Sequence, residues 1–385
     1  MKRNKWTRVG SILCTVLMFT SVLAGCNGGT SAPAASTAPV GAAQAPVSTA
    51  QNQQAPKPDL KKLYDSIPNQ KAYISLKDIG DVKAKGNYKV GLALYTVSTG
   101  FYKTLADSLA TELKNSGATV LNSDCNGDVT TQVSQIENFI TQKVDAIILT
   151  PADPPSAINI ALNKAYDAGI PVIAVDMPPD AGAKYLTAYV TDAYQLGYII
   201  GEEVAKKLLA ENPKGDIEYG IIGGIEGGVI PTARNNGSQD GIKAVDKEGR
   251  IKLVSFLYAG DFSEEGGLKT AENMLVAKPN LKAIIGTCDA HVVGATAAAK
   301  RQGKDKNLIM AAVDGSKAAL EIMKAGGPIK AIGLNSPKEV GQIAARATIA
   351  QLNGNFVPKS KVMYMDPILV TADNVDKYYD PDSAF

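Results

Sequence analysis

The sequence is poor in the residues that build metal and redox centres. It has 1 His, 4 Cys and 1 Trp in 385 residues. Cys14 and Cys26 stand near the N-terminus, which leaves Cys125 and Cys288 for the body of the chain. Two cysteines are not a disulfide framework, and both are read as free, small, semi-buried residues. A zinc site needs three or four converging ligands with supporting partners, and neither a second histidine nor a paired-cysteine spacing is present. No metal and no cofactor is therefore expected. The formal net charge is only +2, without the basic patch that nucleic-acid binding requires. The apolar run from Ser11 to Ala24 is too short for a comfortable membrane span.

What is present is an ordinary globular composition, 45% apolar and 20% charged, at a length that suits two domains. Lys2, Arg3, Lys5 and Arg8 precede the apolar run, which marks it as a secretory signal rather than a fold element. The run ends in "LAGC", Leu23 to Cys26, which resembles the lipobox of bacterial lipoproteins. That resemblance implies a signal peptide over 1–25 and a lipidated Cys26 at the new N-terminus. The chain is then anchored to the outer face of the cytoplasmic membrane. Losing the leader leaves 40 − 4 = 36 basic against 38 acidic residues. Residues 26–58, rich in Ala, Pro, Ser, Thr, Gln and Gly, lack the apolar bulk to fold and read as a disordered tether.

From Tyr88 onward short apolar runs alternate with amphipathic stretches. "KVGLAL" (89–94), "AIILT" (146–150), "PVIAVD" (171–176), "IEYGII" (217–222), "LVSFLY" (253–258), "AIIGT" (283–287) and "IMAAVD" (309–314) read as buried strands. Between them, "QVSQIENFITQ" places Val133, Ile136, Phe139 and Ile140 on one helical face. Such alternation predicts an α/β fold of parallel sheets covered by helices, and about a dozen strands imply two lobes. Ligands of such folds bind in the loops after the strands. Asp124, Asp153, Asp176, Asp192, Asp261, Asp289 and Asp314 all fall there, although aspartate at a strand end also serves simply as a helix cap. Phe101, Tyr102 and Phe262 add aromatic rings. Carboxylates for hydroxyls and rings for C–H faces are what a sugar requires.

Several stretches, in this order and spacing, resemble the type I periplasmic sugar-binding proteins, the ribose-binding branch in particular. They are "KVGLALYTVSTGFYKTLADSLATEL", "DAIILTPADPPSAINIALNKAYDAGIPVIAVD", "GDFSEEGGLKTAENML", "GTCDAHVVGATAAAKRQGK" and "AAVDGSKAALEIMKAG". The resemblance implies two Rossmann-like lobes joined by a hinge, without catalysis, handing a sugar to the permease of an ABC importer. By analogy 88–191 plus 336–365 form the first lobe and 192–335 plus 366–385 the second, and residues 59–87 form an extension that the pattern does not place. The chain is expected to be a monomer.

The same resemblance implies the site. Thr99, Phe101 and Tyr102 match the loop after the first strand, Asp176 and Asp314 the hydroxyl-binding carboxylates, Asn335 a hinge amide and Phe262 an aromatic of the second lobe. Met177 stands where the ribose-binding branch has an arginine, which puts ribose itself in doubt. In "TARNNGSQDG" the cationic position is open among Arg234, Asn236 and Ser238. In "GTCDAH", Cys288 takes the place of an asparagine that touches ligand, Asp289 is kept, and His291 reads as a solvated or capping residue. The glycine-rich "GIIGGIEGGV" (220–229) lacks any phosphate-binding spacing and reads as a loop lining the second lobe. With Trp6 lost in the leader, a mono- or short oligosaccharide is favoured over a long chain. Three rivals stay open at this point: a sensory module presenting a non-nutrient signal, a transcription regulator of the same fold, and an exported enzyme. The lipobox and the lack of a basic helix-turn-helix segment oppose the regulator.

Overall fold

The computed structural model describes residues 59–152 and 155–385. The signal segment, Cys26, the tether and Asp153 lie outside the described residues.

In chain order the strands are β1 (Ala72–Ile74), β2 (Lys89–Leu94), β3 (Thr119–Asp124), β4 (Ala146–Leu149), β5 (Val172–Val175), β6 (Thr187–Thr191), β7 (Ile217–Gly223), β8 (Ile251–Tyr258), β9 (Ala283–Gly286), β10 (Ile309–Asp314), β11 (Ile329–Leu334), β12 (Val362–Met365) and β13 (Leu369–Val370). They make two sheets, β1-β12-β6-β5-β4-β2-β3 and β13-β11-β10-β9-β7-β8. Every pairing is parallel except that of β13 with β11. The α/β class and the two lobes expected from the alternation are what the chain adopts.

The apolar runs are continuous because both faces of each sheet are covered. In β2, Val90, Leu92 and Leu94 enter one buried cluster with Leu105, Leu109 and Leu113 of helix Gly100–Asn115. Ala93 enters the cluster on the other face with Ile136 and Phe139 of helix Val129–Thr141. The inner strands of the second sheet are enclosed in the same way, but its edge strand β8, read as buried from its apolar run, leaves Leu253, Leu257 and Tyr258 exposed.

Both sheets wind alike. The orders β3-β2-β4-β5-β6 and β8-β7-β9-β10-β11 each reverse direction beside their first strand, between β2 and β4 and between β7 and β9. A crevice for ligand opens at the carboxyl ends of strands flanking such a reversal.

The chain crosses from one sheet to the other three times. It does so after Thr191 into helix Ala193–Glu211, after Leu334 into helix Pro337–Leu352, and after Met365 into β13. Residues 59–87, unplaced by sequence, contribute helix Leu60–Ser66 and β1, which pairs with β12 at the edge of the first sheet. Beyond β13, the last residues reach back to the first lobe, where Phe385 meets Phe101 edge-on at 5.3 Å.

Candidate functional site

On the first lobe the loop after β2 is held by its neighbours. The Tyr95 amide donates to Thr150 Oγ1 at 2.6 Å, and Thr150 follows β4, so the two strand ends at the reversal are tied together. Gln132, wholly buried, donates to the carbonyls of Ala93 and Thr150 and accepts from the Ala152 amide. Thr99 caps helix Gly100–Asn115. The next turn presents Phe101, edge-on to Tyr102 at 5.3 Å. The Tyr102 hydroxyl donates to Asp176 Oδ2 at 2.9 Å. Burial, with the Asp176 charge beside it, pushes that hydroxyl far above its ordinary range, so it stays a donor.

Asp176 sits just past β5 with φ of 69°, in the left-handed region that non-glycine residues seldom occupy. The Met177 amide closes a three-residue turn onto the Val175 carbonyl. Strain of this kind concentrates at functional sites. Burial raises the Asp176 carboxyl above its usual range, against the Tyr102 hydrogen bond and the Arg234 charge that lower it. Arg234 and Asp314, both of the second lobe, thus act on a carboxylate of the first.

On the second lobe Arg234 emerges from helix Val229–Val245 and is buried. Its Nη2 donates to Asp314 Oδ1 at 2.8 Å and its Nη1 to the Thr287 carbonyl at 3.1 Å. Its Nε is buried without a partner among the described residues. Burial opposes the guanidinium charge, and the Asp314 carboxylate outweighs it. Asp314, at φ of 131°, ends β10. Its Oδ1 also accepts from Asn335 Nδ2 at 3.1 Å, and Asn335 lies at the second crossing between sheets. Oδ2 of Asp314 receives no hydrogen bond from the described residues, so it is available to a ligand hydroxyl.

The helix carrying Arg234 is placed by backbone contact. A Cβ on Gly197 would lie 2.1 Å from the Arg234 carbonyl oxygen, and one on Gly241 would lie 2.1 Å from that of Tyr198. Only glycine lets the two helices approach this closely.

Four expectations are corrected. Asn236 lies on the exposed side of its helix, two residues and roughly 200° around from Arg234. Ser238, also weighed for that position, is buried and spends its hydroxyl on the Asn235 carbonyl. Asp289 is turned to backbone: its Oδ2 accepts from the amides of Gly315 and Ser316, so it holds the loop that carries Asp314. Burial and the neighbouring Asp314 charge raise its carboxyl to about 6. His291 is neither solvated nor a cap but fully buried, with Nε2 2.9 Å from the Asp261 carbonyl and its ring stacked under Phe262 at 6.3 Å and 7°. That stacking leaves Phe262 48% exposed. Cys288 is buried at the start of helix Asp289–Arg301, and burial pushes its thiol well up, away from the thiolate. Met177 is half-buried beside Asp176.

The other strand-end aspartates among the described residues serve local structure. Asp192 caps a helix, Asp124 accepts from the Asn126 amide, and Asp261 accepts from Ser263. Two residues escaped the sequence reading. Thr287 accepts from the Gly224 amide and donates to Asn235 Oδ1, which fastens the glycine-rich loop to β9. Gln132 does the like in the first lobe. Nothing in their sequence neighbourhoods marks them, whereas Arg234 shares a face with Gly237 and Gly241 at three- and seven-residue spacing, a readable small-residue stripe.

Residues 90–356 match the family model of the periplasmic binding protein domain. The chain belongs to that family. It is 28% identical to the ribose import binding protein of Bacillus subtilis (strain 168) over 276 residues, 72% of this chain and 85% of that protein. Against the D-apiose import binding protein of Actinobacillus succinogenes it is 28% identical over 277 residues, 72% and 86% of the two chains. An ABC transporter periplasmic solute binding protein of Actinobacillus succinogenes 130z, solved with bound D-allose, superposes with a TM-score of 0.67 at 27% identity, covering 76% of this chain and all of that one. One from Bacillus halodurans C-125, solved with myo-inositol, gives 0.64 at 26% identity, covering 78% and 99%.

Proposed function

We propose that the protein is an extracytoplasmic solute-binding lipoprotein. It captures a sugar, a mono- or short oligosaccharide, between its lobes and delivers it to an ABC importer. The observation that carries this reading is the pair of strained carboxylates, Asp176 and Asp314, one per lobe, each at the carboxyl end of a strand and each partnered by a donor, Tyr102 or Arg234. A polyhydroxylated ring bridging them gains contacts to both lobes only when the lobes close on it. Phe101, Phe262 and Met177 are the apolar walls for its C–H faces, with Thr99 beside them and the buried Cys288 and Asn335 beneath.

The ligands of the relatives, ribose, apiose, allose and myo-inositol, support a compact polyol of about this size. No reaction is catalysed: the Cys288 thiol is held protonated, and the carboxylate next to it is committed to backbone amides. The protein acts as a monomer held to the outer face of the membrane by lipid on Cys26.

Calorimetric titration against pentoses, hexoses, inositols and short glucans tests this reading. Saturable binding at roughly micromolar affinity, with the sugar recovered unchanged, is the expected result. Absence of binding across the panel would shift the assignment to a sensory module for a non-carbohydrate signal. Intact mass of the membrane-extracted protein, and of a Cys26→Ala variant, tests the lipid.

A further inference from the structure

The segment that precedes the family match is wired into the hinge. Asp192 is the link between β6 of the first sheet and helix Ala193–Glu211 of the second. Its side chain is 7% exposed. Oδ1 accepts from the Gln195 amide at 3.1 Å and so caps the helix of the second lobe. Oδ2 accepts from the Tyr73 hydroxyl at 2.9 Å and lies 2.5 Å from Lys71 Nζ, both on the extension that borders the first sheet. Lys71 Nζ also stands 5.5 Å from the ring centres of Tyr73 and Tyr364. Tyr364 is in β12, shortly before the third crossing. One carboxylate is thus fastened to both lobes, and one ammonium gathers residues at two of the three crossings.

Lobe rotation in a hinged clamp is absorbed by backbone dihedrals at such crossings. A carboxylate fixed by a charged donor and a phenol from one side, and by a helix amide from the other, limits how far the dihedrals beside it can swing. We propose that Lys71 and Tyr73 form a hinge brace that narrows the range of lobe separations in the unliganded protein and thereby strengthens ligand binding. They are positioning residues that act through Asp192. The proposal rests on reading the molecule as a closing clamp, and it concerns a segment, 59–89, outside the matched domain.

The test compares the parent with Lys71→Met, with the double variant Lys71→Met/Tyr73→Phe, and with Lys71→Arg. Labels are placed on cysteines introduced at exposed Lys114 of the first lobe and Lys247 of the second. The native Cys125 and Cys288 are buried and resist labelling. Without ligand, the label-to-label distance distribution is expected to broaden in the single variant and further in the double, while Lys71→Arg keeps the parental width. Affinity for the captured sugar is expected to fall about fivefold in the double variant, because a smaller fraction of the free protein is poised to close. A distribution unchanged in the double variant overturns the proposal, as does one that broadens equally with Lys71→Arg. The distance measurement needs no ligand, so failure of the sugar assignment and failure of the brace are separate outcomes. Lys71→Met alone, at a side chain 53% exposed, keeps the test decisive should the double variant not fold.

Discussion

The two lobes share a winding and present a carboxylate at the same kind of position, yet they equip it differently. Asp176 of the first lobe faces a phenol, and burial raises its carboxyl. Asp314 of the second faces a buried guanidinium and an amide. The turn at Asp176 is held by backbone hydrogen bonds, through the Met177 amide and the Asp176 amide to Tyr189. The loop after Asp314 is held by another carboxyl, Asp289. The first lobe thus offers a weakly committed acceptor on rigid backbone, and the second an ion pair embedded in a polar network. An ion pair taken out of water gains only when its geometry is complete, and it suffers most when one partner is removed. The second lobe should therefore be the more sensitive to mutation.

Arg234→Met gives the sharpest break. It leaves Asp314 uncompensated among buried groups, with an expected loss of about 3–5 kcal/mol in stability by denaturant unfolding and at least roughly a hundredfold in ligand affinity. The double variant Arg234→Met/Asp314→Asn should recover most of the stability and none of the binding. Asp176→Ala, by contrast, should weaken binding severely while the fold keeps its stability. If unfolding showed the two single variants equally destabilised, the contrast between lobes would be wrong.

The second lobe should also carry a pH dependence of stability that can be traced to one residue away from Asp314 itself. The Asp289 carboxyl has an ordinary value of 3.8 and is raised to about 6 in the fold, chiefly by burial. Its folded pKa is thus the higher one, so its contribution to stability is fully present below pH 3.8 and is lost as pH rises through about 6. Such a shift corresponds to about 3 kcal/mol across that window. Asp289→Asn cannot ionise, so the difference between parent and variant, followed by urea unfolding from pH 3.5 to 7, isolates this group. A difference that does not vary with pH removes Asp289 as its source.

Gly197→Ala sharpens the comparison from beneath. The added methyl would meet the Arg234 carbonyl at 2.1 Å, and backbone cannot yield as a side-chain tip can. Separating the helices should cost about 1–3 kcal/mol, and displacing Arg234 should lower affinity as well. Loss of stability with unchanged affinity would show that Arg234 is placed by Asp314 and Thr287 alone.

These contrasts also explain what the sequence disclosed. β2, β5 and β10 are buried on both faces and read as apolar runs, whereas β3, "TVLNSD", is an edge strand whose outward residues contact water and break the pattern. β1 is three residues long and exists because β12, nearly three hundred residues later, offers it an edge. Among the strand-end aspartates, local sequence could not separate Asp176 and Asp314, which meet the side chains Tyr102 and Arg234, from Asp192 and Asp289, which accept from backbone amides. The difference lies in which distant group arrives opposite each. Arg234 over Asn236 was likewise a question of helix phase, answered by glycines on the buried face.

The smallest effect belongs to the first lobe. Tyr102→Phe removes one hydroxyl from Asp176 Oδ2 and leaves a ring of nearly the same shape packed against Phe101 and Tyr95. Loss of such a hydrogen bond should cost about 1 kcal/mol, roughly fivefold in affinity, with little change in melting temperature. Burial already raises the Asp176 carboxyl, and the Tyr102 bond is the foremost influence opposing it. Without that bond the carboxyl rises further, so the acid limb of ligand affinity should move to higher pH in Tyr102→Phe. Titration calorimetry across pH 4 to 7 measures both quantities. A fivefold loss with an unmoved acid limb would mean that the phenol contacts the ligand directly rather than through Asp176.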